Sequence, residues 1–211
     1  MPRPRRPLAS LLPPLAGATL LLLAACASTQ APRFHSLQEA AAVPAAPAAA
    51  PALFVDLGPV GVPAGVDQPQ WVVRTPDDTL RLLEQERWVA PLRDELRAAL
   101  ADGLARRWNA ADLRLAPAPA GAPVWRLRVD VLRFDTVAGT GTRLEAAWSA
   151  TAASAPAPAL ACRTRVHEAA AGDAVALAAA HRRAAARLAD QIGQPLAELA
   201  AGRPANCPAP D

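Results

Sequence analysis
The chain carries three cysteines and three histidines, and their placement bounds the chemistry open to it. Cys26 closes the run Leu23-Ala24-Ala25-Cys26, at the end of an apolar stretch over residues 11–25. That order matches the bacterial lipobox, Leu followed by Ala or Ser, Gly or Ala, then Cys. Small residues admit the cleaving enzyme, and the Cys26 thiol becomes the thioether to a diacylglycerol. Arg3, Arg5 and Arg6 form the basic segment that precedes the apolar run of a secretory signal. Pro13, Pro14 and Gly17 interrupt that run, which is shorter than the about 20 apolar residues of a spanning helix. The reading is a lipoprotein signal peptide over residues 1–25 with lipidation at Cys26. An ordinary signal cut after an A-x-A-like site, with Cys26 incidental, is the alternative. No cofactor is expected beyond the covalent diacylglycerol and N-acyl chain on Cys26.

Cys162 falls on the inward side of a strand pattern and Cys207 in the C-terminal tail. In an oxidising periplasm a pair left over after lipidation tends to bond. A Cys162–Cys207 disulfide would close a loop of about 45 residues, worth roughly 3–4 kcal/mol in the chain-entropy model. The alternative is a buried free Cys162 and a free Cys207. No His or Cys close in sequence completes a zinc set around them, so no metal is expected.

Enzyme signatures are missing. The sequence has no Gly-x-Ser-x-Gly, no phosphate-binding loop and no His-Glu-x-x-His. His35 lies beside an Ala/Pro segment, His167 stands on the polar side of a strand next to Glu168, and His181 sits in an apolar helix stripe that suits a structural histidine. Asp77-Asp78 follows Pro76 and reads as a solvated turn. The expectation is a protein that is not an enzyme, with an unrecognised hydrolase as the residual alternative.

All 22 basic residues are arginine, and the formal net charge is +3. Removing Arg3, Arg5 and Arg6 with the signal leaves as many arginines as the 19 Asp and Glu together. The mature chain is then near neutral, without the basic footprint of a nucleic-acid binder.

The elements that would position these residues follow from apolar periodicity. Residues 40–52 are nearly all Ala and Pro and read as an extended, semi-stiff spacer within a lipid-anchored tether over 26–52. PRFHSL, residues 32–37, is either a small docking patch or part of that tether. A domain over 53–211 follows, the size of one ordinary unit. Strands are expected at 53–60 and 70–74, and residues 79–88 read as extended. An amphipathic helix follows, with Val89, Leu92, Leu96, Leu100, Leu104 and Trp108 in its stripe and Pro91 in its first turn.

Residues 125–131, 142–150 and 160–168 alternate as three strands of an antiparallel meander, with a phase slip over 132–134 that suggests a bulge or a twist. Asp173 can cap a last helix with Leu177, His181, Ala184, Leu188 and Ile192 on one stripe, kinked near Pro195. The expected class is α+β: a mainly antiparallel sheet with two main amphipathic helices packed on it, most simply on one face.

One stretch resembles a known family. Gly58-Pro59-Val60, Pro63, Asp67, Pro69-Gln70, Arg74, Arg87-Trp88 and Pro91-Leu92 match the pattern of the ABC-type transport auxiliary lipoproteins, and PRFHSL is similar to that family's early F/Y-Y-x-L segment. Gln68, His35 and Val89-Ala90 depart from it. The resemblance implies an accessory subunit of an MCE/ABC-type system that moves phospholipid between inner and outer membranes and maintains outer-membrane integrity.

It also implies an MCE-domain protein as partner, docked where its periplasmic tunnel meets the outer membrane. A homo-oligomeric ring would suit a ring-shaped tunnel. Ala27, rather than Asp, after the cysteine favours the periplasmic face of the outer membrane in a Gram-negative host. Pro63, Asp67, Pro69 and Trp71 are the candidate docking residues, Trp being enriched at binding hot spots; alternatively Trp71 and Trp88 are core anchors. Other readings are a structural or assembly lipoprotein of another outer-membrane complex, and a periplasmic lipid-binding carrier.

Overall fold
The computed structural model describes residues 30–39, 50–156 and 159–209. The signal peptide, Cys26 and most of the 40–52 spacer lie outside the described residues. One compact unit, Pro32–Asp211, holds every element below; of the other, Met1–Ala31, only residues 30 and 31 are described. The strands are β1 Arg33–His35, β2 Leu53–Gly61, β3 Gln70–Arg74, β4 Leu80–Trp88, β5 Ala110–Asp112, β6 Val124–Val137, β7 Gly141–Ala152 and β8 Leu160–Ala169. The helices are α1 Leu92–Trp108, between β4 and β5, and α2 Ala174–Ala200, after β8.

β6 is the hub of the sheet. One of its edges carries β7 from Trp125 to Val137, and β8 pairs with β7 beyond it. Its other edge is shared: β2 occupies residues 124–130 and β3 residues 136–137. β6, β7 and β8 form the expected antiparallel meander, with the expected register shift between Val131 and Arg133.

The sheet as a whole is mixed, which corrects the expectation of a mainly antiparallel one. β1 on β4, β2 on β5, β2 on β6 and β3 on β6 are all parallel. The reason is chain connectivity. β3, β4, α1 and β5 all intervene between β2 and β6, a crossover long enough to return the chain in the same direction. Alternation within a strand reports its two faces but says nothing of its neighbour's direction.

The domain also begins ahead of residue 53. β1 pairs with β4, and Val89 N–H donates to His35 C=O at 2.9 Å. Ser36 Oγ and Leu37 N–H both donate to Glu95 Oε2 at 2.7 Å, and Leu37 is buried. Glu86 and Glu95 are buried carboxylates, and residues 33–37 supply partners to both, through Arg33 and His35 for Glu86. PRFHSL is therefore part of the fold, and the 40–52 segment lies in sequence between β1 and β2. Asn109 holds the far end of that connection: its Nδ2 donates to Ala50 C=O at 2.6 Å, and its own C=O accepts from Ala52 N–H at 2.9 Å.

α1 packs on β2 and β5, α2 on β7 and β8, and the helices on each other. The Leu stripe lies inward at Leu92, Leu96, Leu100 and Leu104, while Val89 precedes the helix and is exposed. Asp94 and Glu95 in the first turn and Arg106 and Arg107 in the last complement the α1 dipole. Asp173 Oδ1 caps α2, accepting from Val175 N and Ala176 N at 3.1 Å. The helix continues through Pro195 to Ala200.

Two glycines fix close approaches. A Cβ on Gly193 would sit 2.2 Å from the Trp108 ring, so only glycine lets α2 pass there. Gly141 opens β7 at φ 136°, and a Cβ would meet Glu168 C=O at 2.0 Å.

Candidate functional site
The loop after β2 turns on its own backbone. Val66 N–H donates to Pro63 C=O at 3.0 Å, and Gln68 N–H to Val66 C=O at 2.9 Å. Pro69 is exposed, Pro63 and Asp67 half-buried. The loop is tied to the segment before α1: Trp88 N–H donates to Pro69 C=O at 3.1 Å, and Arg93 pairs with Asp67. Asp67, Gln68 and Pro69 with Val89, Pro91 and Arg93 border a surface depression of about 380 Å³. Two sequence motifs some 20 residues apart, D-Q-P-Q and R-W-V-A-P-L, thus form one surface.

Trp71 does not belong to that surface. It is 1 % exposed, its ring stacked 4.5 Å from Trp88 and tilted against His35 at 4.6 Å. As a docking candidate it is corrected: it is a core anchor. Alternation along β3 turns it toward α2, where His181 meets its edge at 5.9 Å. His181 also stacks on Phe134 at 4.3 Å, and its Nε2 is 2.7 Å from Thr136 Oγ1. Burial among these rings pushes the His181 pKa down to about 3, so the ring is neutral at physiological pH.

His35, placed by sequence beside a tether, instead bonds Glu86 Oε2 at 2.6 Å under the same aromatic cluster. The other anticipated pairings are local. Asp77 accepts from Thr79 Oγ1 at 3.1 Å in the β3–β4 turn, and hydrogen bonds from Thr75 and then Thr79 hold it below the usual carboxylate range. Arg74 Nη1 donates to Asp78 Oδ1 at 2.7 Å.

A disulfide joins Cys162 on β8 to Cys207, Cα atoms 5.4 Å apart, and pins the tail to the sheet. Cys26, the lipidation candidate, lies outside the described residues. Among the described residues no cluster of His, Cys, Asp and Glu could hold a metal, and no helix is long and apolar enough to cross a membrane.

Sequence reasoning missed two sets of residues. Glu86 and Glu95 look like ordinary solvated acids in sequence, and only their partners from residues 33–37 reveal them. The arginines of β6, β7 and β8 carry a signal that could have been read: the R-x-R spacing in RLRVD and CRTRV puts two guanidinium groups on one side of each strand.

The sequence model of the ABC-type transport auxiliary lipoprotein component matches residues 35–193. No curated protein matches the chain. Among solved structures, the crystal structure of an uncharacterized protein aligns with TM-score 0.62 at 15 % identity, covering 79 % of this chain and 99 % of that one. A Xanthomonas campestris protein of the DUF330 family aligns with TM-score 0.57 at 16 % identity, covering 80 % and 94 %. At these identities the two structures speak for the fold alone.

Proposed function
From the premise that this chain belongs to the ABC-type transport auxiliary lipoprotein family, we propose that it is an outer-membrane lipoprotein serving an MCE/ABC-type phospholipid transport system, docking the periplasmic MCE tunnel at that membrane. The family is a transport auxiliary component and not an enzyme family. A lipoprotein of this kind works anchored to a membrane of the cell envelope; acylation of Cys26 and the outer membrane are the finer parts of the proposal.

The observation that carries the docking role is the joint surface of residues 67–69 and 88–93. Both motif segments of the resemblance meet there, held by backbone bonds and the Arg93–Asp67 pair rather than by loop chance. Exposed Val89 and Pro69 give it apolar contact area, and Asp67 and Arg93 a charged border.

Position supports the same role. Only residues 27–32 lie between Cys26 and β1, a reach of about 20–25 Å at about 3.3–3.6 Å per residue. The Ala/Pro segment does not lengthen that leash, because it follows β1. An acylated Cys26 would keep the domain at the membrane surface, which suits a terminus for a tunnel.

The test is capture of an MCE-domain protein of the same host by the detergent-solubilised lipoprotein. Asp67→Arg with Val89→Asp should lower recovery at least tenfold while leaving the thermal transition within a few degrees. Unchanged recovery removes the docking surface from the proposal.

A further inference from the structure
The face of the sheet turned away from α1 and α2 carries two kinds of side chain. On β6, β7 and β8, Arg126, Arg128, Arg133, Arg143, Arg163 and Arg165 stand against Asp130, Asp135 and Glu145. Strand register sets them in rows: Arg133, Glu145 and Arg165 face one another across three strands, and Asp135, Arg143 and His167 form the next row.

Glu145 Oε1 accepts from Arg163 Nε at 2.6 Å and Arg165 Nε at 2.8 Å. Those bonds, Arg163's first, hold Glu145 below the usual carboxylate range. They also orient both guanidinium groups by their inner nitrogen. Their terminal nitrogens make no further bond among the described residues, and neither Arg128 nor Arg143 has a partner there. A concavity of about 540 Å³ lies between Arg133, Arg143, Glu145, Arg163, Arg165 and His167.

The other part of the same face is apolar. Phe34, Leu80 and Leu82 are 59, 58 and 47 % exposed. Their direction follows from alternation. The His35 ring lies against Trp71, which faces α2, so Phe34 points the other way. Val72 pairs with Leu82 and Arg74 with Leu80, each out of phase with buried Trp71 and Val73. The chain enters the domain at Arg33, on the β1 edge of this face.

We infer that this uncovered sheet face lies against an anionic phospholipid surface, its arginines on lipid phosphates and Phe34, Leu80 and Leu82 in the headgroup layer. Guanidinium groups with unused terminal nitrogens match phosphate oxygens bidentately. Exposed apolar side chains beside a basic field are the composition of an interfacial binder. On this face of the three strands six arginines stand against three carboxylates, and that excess supplies the charge complementarity. The inference does not rest on lipidation of Cys26.

The test uses residues 26–211 with Cys26→Ser, so that neither signal nor acyl chain contributes; the strands and helices of the described residues lie within this span. Co-flotation is measured with vesicles of phosphatidylcholine containing about 30 % phosphatidylglycerol and with phosphatidylcholine alone. Binding is expected to the anionic vesicles and to fall with salt. An arginine near an anionic surface contributes about fivefold, so Arg163→Gln with Arg165→Gln should weaken binding about 10- to 30-fold. Leu80→Ser with Leu82→Ser should weaken it several-fold at any salt.

Absent binding, or binding unchanged in both double variants, overturns the inference. So does a wild-type dimer or ring, read by light scattering, that the same substitutions dissociate, since a second copy would then cover the face. Labelled palmitate on the full-length chain reads the anchor separately, so failure of one reading is distinguishable from failure of the other.

Discussion
Val129 and Val131 on β6 pack beneath the helices, while Arg128 and Asp130, alternating with them, stand in solvent on the other side. The contrast runs through the meander: Leu144, Ala146 and Trp148 against Arg143 and Glu145, and Cys162, Thr164 and Val166 against Arg163 and Arg165. The covered face tolerates polar atoms only when they are neutral or bonded, as Trp148 Nε1 donating to Thr164 Oγ1 at 2.9 Å and His181 beside Thr136 show. The open face keeps like charges close because water screens them and Glu145 lies between two of them. One face is built for stability and the other is left for contact, so substitutions should separate the two.

The largest effect is expected where an aromatic anchor is removed from the covered face. Trp71→Ala should cost about 3–5 kcal/mol in urea unfolding, through lost ring contacts and the cavity left behind. A cost below about 1 kcal/mol would mean that Trp71 is not the anchor its burial indicates.

Next is the link between the faces and the tail. Cys162→Ser with Cys207→Ser, or reduction of the native protein, should remove roughly 3–4 kcal/mol. Co-flotation of that variant should be unchanged wherever it remains folded, because the disulfide lies outside the arginine rows.

A third, smaller effect is set by pH. The unfolded chain's His181 protonates as pH falls through about 6.5, whereas the folded ring resists until about 3. The unfolded state therefore gains the proton first, and stability is complete above about pH 6.5 and declines below it by roughly 1.4 kcal/mol per pH unit. Urea midpoints between pH 7 and 5, above the range where carboxylates titrate, should show this slope for wild type and lose it in His181→Leu. An equal slope in both would assign it elsewhere.

The smallest effect is expected on the open face. Arg163→Gln should change stability by less than about 0.5 kcal/mol, since exposed ion pairs contribute little. A penalty above about 2 kcal/mol would make the arginine rows structural and remove the sharpest part of the contrast.

Much of the covered face was legible from one dimension. The Leu stripe of α1, the alternation of the meander, the β6 bulge and the Asp173 cap all depend on residues within one turn or one strand of each other. The loop after β2 was legible as a motif, yet Trp71 was assigned to its surface because the next residue along a chain gives no measure of burial. β1 and β5, of three residues each, were too short for a periodic signal. The parallel pairings depend on connections that cross whole elements, which no local pattern encodes.

Residue order alone determined the lipobox-like run that ends at Cys26, the equal numbers of arginine and carboxylate after residue 25 and the amphipathic period of each major element, because these are properties of composition and spacing. Tertiary structure alone decided that residues 33–37 close the sheet and that Glu86 and Glu95 are buried. It also decided that arginines from three strands stand in rows. Each of these is a meeting of groups far apart in the chain, made when burial of the apolar faces outweighs the entropy of ordering the segments between them.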